Sequence, residues 1–86
     1  MIIIKTTCDS ENVINEISNV LIEKRYASCI NIITNIKSKY IWKNKITISN
    51  ESILLIKTDI IFEDKIFDII RKHHNYKIPE IISISI

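Results

Sequence analysis

The sequence predicts an α+β fold of order β-α-β-β-α-β, a four-stranded antiparallel sheet with two helices on one face. Three observations predict it. Two windows repeat their apolar residues at helical spacing, four others are β-branched and extended or alternating, and the two kinds follow one another in that order.

Ile2 to Thr7 is apolar and β-branched at nearly every place, which suits a central strand. Asp9 or Ser10 can then cap a helix, because their side-chain oxygens accept the first free amide hydrogens. From Glu11 to Arg25 the apolar set Val13, Ile14, Ile17, Val20 and Leu21 makes one helical face. Acidic Glu11 and Glu16 open this helix and basic Lys24 and Arg25 close it, as the helix dipole prefers.

Ala27 to Trp42 reads as one unusually long or bent strand. Ile30, Ile32, Ile36, Tyr40 and Trp42 share one parity, against Cys29, Asn31, Asn35, Lys37, Lys39 and Lys43 on the other. Lys43 and Asn44 make the turn, since Asn is the best non-glycine residue for a positive φ. Lys45 to Thr58 is the return strand of a long hairpin. Ile46 and Ile48 sit on one face, a bulge is expected at Asn50 to Ser52, and Ile53 to Ile56 is a continuous buried run.

Asp59 is placed to cap the second helix, whose stripe is Phe62, Ile66, Ile69 and Ile70. Arg71, Lys72, His73 and His74 lie at its carboxyl end. Pro79 forbids helix continuation, so Asn75 to Pro79 is a loop. Ile81 to Ile86 alternates isoleucine with serine and closes the sheet. The whole is the ferredoxin-like, split β-α-β arrangement, with residues 1–86 as one domain.

Composition sharpens the picture. The chain has 86 residues, 47% of them hydrophobic, and 25 are isoleucine. A chain this short buries only about 60–65% of its unfolded surface, so its core cannot hide so many apolar side chains. The uncovered sheet face is therefore expected to meet another subunit. Glycine is absent, which excludes the glycine-rich loops that cradle phosphates. With 26% charged residues and mean hydropathy of +0.15, the chain is not of disordered composition.

Net charge is only +2. Lys37, Lys39, Lys43 and Lys45 straddle a turn and read as solvated turn lysines, so no nucleic-acid partner is expected. The longest apolar run is four residues, where a membrane helix needs about 20. No cleavable leader is expected ahead of the first strand, since Met1 runs straight into Ile2, Ile3 and Ile4. A cytoplasmic protein with reduced thiols and no membrane partner is the expectation.

Few residues carry chemistry. Heavy-metal carriers of this topology need a CxxC in the first loop, where Cys8 stands alone, and no local nucleophile–base signature is present. Cys29 has two open readings, inert core thiol or metal ligand. Cys8, in the first loop, is expected to be the more exposed thiol, and soft thiolates favour Cu(I). His73 and His74 are either surface residues facing the helix dipole or metal ligands. Adjacent helical residues point about 100° apart, so the pair would need a third ligand. Tyr40 and Trp42 suit interface packing or a ligand cage.

Four segments carry a resemblance. Ala27-Ser28-Cys29-Ile30-Asn31-Ile32-Ile33 is similar to the A-A-C-V-N-I-I segment of the CutA family of divalent-ion tolerance proteins. Tyr40-Ile41-Trp42-Lys43-Asn44-Lys45 resembles its Y-x-W-x-G-K hairpin tip. Glu51 with Leu54 to Thr58 is similar to E-x-x-L-L-I-K-T, and His74 to Ile82 resembles H-P-Y-E-x-P-E-I-I. Asn44 and Asn75 depart from a usual glycine and a usual proline.

The resemblance implies a homotrimer built through the long hairpin, similar to PII signalling proteins, with no enzymatic activity and a link to tolerance of copper and other divalent cations. It implies an intersubunit cleft holding Cys29, Tyr40, Trp42, Lys45, Glu51, Lys57, Tyr76 and Glu80, suited to a metal or a small anionic or zwitterionic ligand. Metal ligation is expected from Cys29, or from Cys8 with His73 and His74. Family members continue into a segment that packs across the trimer, and with the last strand ending at Ile86 a less stable trimer rim is expected.

Overall fold

The computed structural model describes residues 1–86. Its elements follow the expected order: β1 (Ile2–Cys8), α1 (Glu11–Glu23), β2 (Ala27–Trp42), β3 (Lys45–Thr58), a 3-10 turn (Ile60–Phe62), α2 (Glu63–His73) and β4 (Ile81–Ser85). The four strands form one antiparallel sheet in the order β2-β3-β1-β4. No helix is long and apolar enough to cross a membrane.

The core lies between the sheet and the two helices. Ile2, Ile4, Leu54 and Ile56 from the sheet meet Ile14, Ile17 and Leu21 from α1 and Ile66 and Ile70 from α2, all essentially inaccessible to water. Strand parity decides which residues reach it. Ile4 is paired with Ile56 and Thr6 with Leu54, so these four point toward the helices, while Ile3, Lys5, Ile53 and Leu55 point to the open face. The expected continuous run Ile53 to Ile56 therefore splits into two buried and two half-buried residues.

Helix α1 starts as expected, with Ser10 Oγ accepting from Val13 N at 3.3 Å. It ends at Glu23 rather than at the expected Arg25, so Lys24 and Arg25 lie beyond it and its last turn holds no basic residue. Arg25 adopts φ 61° just beyond it. Its amide donates to Ile22 O and the Tyr26 amide to Leu21 O, both at 3.0 Å, which is the paired closure that glycine usually permits. A chain without glycine sets arginine there instead.

The bulge expected at Asn50 to Ser52 lies elsewhere. Strand β3 is regular, and the irregularities fall in β2, between Ala27 and Cys29 and between Ile33 and Ile36. At the second of these Asn35 takes φ 59°, a conformation asparagine tolerates. The extra residue reverses parity. Ile30 and Ile32 are paired with Ile56 and Leu54 on the helix side, whereas Ile36, Tyr40 and Trp42 are paired with Glu51, Thr47 and Lys45 on the open side. The five residues expected on one face are thus divided between two.

Beyond Ser52 the strand β3 is no longer paired with β1, and it runs on with β2 as a two-stranded ribbon. Lys43 (φ 50°) and Asn44 (φ 64°) make the two-residue turn at its tip. The ribbon leaves Ile41, Trp42, Ile46 and Ile48 between 56% and 72% exposed. Ile33, Ile82 and Ile84 are likewise uncovered on or near the open sheet face. Two-stranded ribbons are marginal alone, so this one needs an additional surface.

Candidate functional site

The residues singled out in the sequence fall into two groups. The metal candidates do not converge. Cys8 ends β1 on its helix-facing parity and is 1% exposed, whereas Cys29 is exposed, the reverse of the expectation. Cys8 Sγ lies 3.0 Å from Asn75 Oδ1 and accepts from Ser10 N at 3.4 Å. Burial pushes its thiol pKa up, and the nearby charges of Asp9 and Glu51 add to this against the lowering hydrogen bonds of the Ser10 and Asp9 backbone. Thiolate is the ligating form, and this site disfavours it.

The two histidines are also committed. His73, the last residue of α2, holds Nδ1 2.6 Å from Glu16 Oε1 on α1. His74 is buried rather than at the surface, because the chain turns inward at the helix end. Its Nδ1 accepts from Tyr76 N at 3.0 Å, which leaves Nε2 to donate to Thr7 O at 2.8 Å. A neutral ring with both nitrogens in use has no lone pair to spare for a metal. No group of three or more His, Cys, Asp or Glu side chains in the chain is arranged to hold a metal ion.

The cleft candidates do share a surface. Cys29 is paired with Lys57, Trp42 with Lys45, and Ile36 with Glu51, all with side chains on the open face. Lys43 Nζ stands 6.0 Å over the Trp42 ring. At the root of the ribbon, Tyr40, Glu51, Tyr76 and Glu80 line a groove of about 390 Å³.

Glu51 is its centre. The residue is 9% exposed, and its Oε2 accepts from Tyr76 OH at 2.5 Å. Burial, then the bond to Glu51 and the charge of that carboxylate, push the Tyr76 phenol far above its ordinary range. The phenol therefore stays protonated and donating. Tyr76 is held in turn by His74, whose ring centroid lies 4.6 Å from its own. Glu80 is fixed at both ends: Thr6 Oγ1 donates to its carbonyl at 2.7 Å, and Lys5 Nζ lies 3.2 Å from its Oε1.

A larger hollow, about 730 Å³, lies at the carboxyl end of α1 against Tyr26 and Phe62. It contains none of the residues singled out above and no buried charged group. Volume alone does not make it a site, and the Glu51 groove carries the chemistry.

The profile of the CutA1 divalent ion tolerance protein family matches residues 2–86. The chain belongs to that family. It is 38% identical over 80 residues to human protein CutA, covering 93% of this chain and 45% of that one. The chain thus spans about half the length of the human relative. A solved CutA1 structure, the divalent cation tolerance protein of Thermus thermophilus, matches with a TM-score of 0.92 at 32% identity over 100% of this chain and 84% of that one. The periplasmic divalent cation tolerance protein CutA of Archaeoglobus fulgidus gives the same values.

Within this CutA fold, reading the sequence missed four polar residues that line the groove, Lys5, Thr7, Ser38 and Lys39. Lys5 left a signal, as the one charged residue in an otherwise apolar or hydroxylated first strand. The buried role of His74 left none, because its partner Thr7 is 67 residues away.

Proposed function

We propose that the chain works as a non-catalytic homotrimer in the tolerance of divalent cations, copper among them, in the cytoplasm. The observation that carries this reading is the family match over residues 2–86, since that family is described by divalent ion tolerance. Assembly is supported by the open sheet face and the ribbon, which expose Ile33, Ile82, Ile84 and Trp42 together. Direct copper uptake is supported by Cys29, the one thiol that is exposed, whereas Cys8 and His74 are occupied within the fold.

Elemental analysis of untagged protein exposed to copper, with its mass by light scattering, tests the reading. A particle near three times 10.1 kDa that retains copper is expected. A copper-free monomer near 10.1 kDa would overturn it.

One observation favours a second reading, a PII-like module that binds a small molecule with metal incidental. The Glu51 carboxylate is nine-tenths buried, yet its chain supplies a partner for only one of its two oxygens.

A further inference from the structure

Past Ser52 the β2–β3 ribbon has two faces of its own. Ile36, Tyr40, Trp42 and Glu51 share the open face. The opposite, back face carries Lys37 paired with Asn50, Lys39 with Ile48 and Ile41 with Ile46. All six of these residues are exposed, Ile41 at 67% and Ile46 at 72%, so neither helix covers them. Assembly through the open face would leave this back face pointing outward.

From Asn31 to Asn50 the chain holds Lys37, Lys39, Lys43 and Lys45 and no acidic residue. None of these lysines makes an ion pair. The back face therefore sets unneutralised cations beside protruding isoleucines. A hollow of about 270 Å³ on it, lined by Asn35, Lys37, Ile48, Ser49 and Asn50, adds amide donors beside the Lys37 ammonium. A nucleic acid would match the lysines but not the isoleucines, and this face offers no aromatic ring or arginine on which a base could stack. A purely apolar partner would bury the lysines unpaired. An anionic bilayer matches both, since its headgroups meet the ammonium groups while the isoleucines enter the boundary of the acyl chains.

We infer that the back face of the ribbon docks on an anionic lipid bilayer, with Lys37 and Lys39 on the headgroups and Ile41, Ile46 and Ile48 at the acyl boundary. A surface contact of this kind needs no spanning segment, so the short apolar runs that speak against a membrane helix do not bear on it. It goes beyond the cation-tolerance reading and depends neither on copper nor on the Glu51 groove.

Flotation of the full chain with vesicles of phosphatidylserine and phosphatidylcholine in equal parts, and with vesicles of phosphatidylcholine alone, tests the inference. The mixed vesicles should bind the chain, more weakly as salt is added, and the neutral ones at least about ten-fold more weakly. Lys37→Gln with Lys39→Gln should weaken binding about twenty-fold, at roughly five-fold per lysine. Ile41→Ser with Ile46→Ser should weaken it about ten-fold. These positions are exposed, and either pair decides the matter if the other variant fails to fold. No binding to the mixed vesicles, equal binding to both kinds, or a folded variant as tight as the parent would overturn the inference. So would tighter binding to a single-stranded oligonucleotide than to the vesicles, which would make the face a nucleic-acid site. A smaller particle for the isoleucine variant in lipid-free light scattering would overturn it too, by making the face a subunit interface.

Discussion

The Tyr76 hydroxyl donates to Glu51 Oε2 across 2.5 Å, joining the loop after α2 to the point where β3 leaves the sheet. One bond thereby fixes both the loop and the orientation of the buried carboxylate. Its neighbours reinforce it, since His74 accepts from the Tyr76 amide and packs its ring, tilted by 48°, against the phenol ring.

Tyr76→Phe removes the donor and leaves the Glu51 carboxylate buried without a partner. A hydrogen bond to a charged group contributes about 1.5–3 kcal/mol, and urea denaturation should show a loss of that order. The pH dependence has a definite sign. Because the folded-state phenol is raised above its ordinary value, the stability it contributes is fully present below about pH 10 and is lost as pH climbs above that. The Phe variant should lack this alkaline loss, and an identical alkaline decline in both proteins would contradict the assignment.

Arg25 gives a prediction of the opposite kind. Its φ of 61° costs an L-residue roughly 1–2 kcal/mol, and glycine gives back part of that gain through a freer unfolded chain. Arg25→Gly should therefore stabilise the fold by about 0.5–1 kcal/mol, read as a higher urea midpoint at unchanged slope. A lower midpoint would show that the arginine side chain contributes more than its backbone costs.

Much of this fold was legible because its signals are periodic. The stripes Ile14-Ile17-Leu21 and Ile66-Ile70 face the core as their spacing requires, and Lys43-Asn44 turn where positive φ was expected. The bulge at Asn35 was not legible, because inserting one residue changes no composition and no glycine marks it. It reverses parity for Tyr40 and Trp42, and that reversal brings them onto the same face as Glu51 and Cys29. The burial of Cys8 could have been read from its shared parity with Ile2, Ile4 and Thr6. The commitment of His74 to Thr7 could not, since it depends on tertiary docking of the loop.

Copper uptake should divide the two thiols. Cys8 is buried and its thiol is held protonated, while Cys29 is exposed beside Lys57. Cys29→Ser should abolish most Cu(I) retention under reducing conditions, and Cys8→Ser should leave it within about two-fold, since the thiolate is the ligand. Retention unchanged in Cys29→Ser would remove direct thiol binding and favour the small-molecule reading.

Trp42 separates the stability of the subunit from that of the assembly. Its side chain stands 61% exposed near the ribbon tip, with Lys45 as its cross-strand pair and Lys43 over its ring. Within one chain Trp42→Ala therefore removes little buried surface, and surface substitutions of this kind usually stay within about 0.5 kcal/mol. If the ribbon packs against a neighbour, the same ring becomes buried, which contributes roughly 1.5–3 kcal/mol per subunit. The parent and variant should then unfold alike once dissociated, while the variant trimer should dissociate at a protein concentration more than ten-fold higher. Light scattering across a dilution series measures this directly. Equal dissociation of the two proteins would place Trp42 outside the interface and leave its ring as part of the open ligand-facing surface.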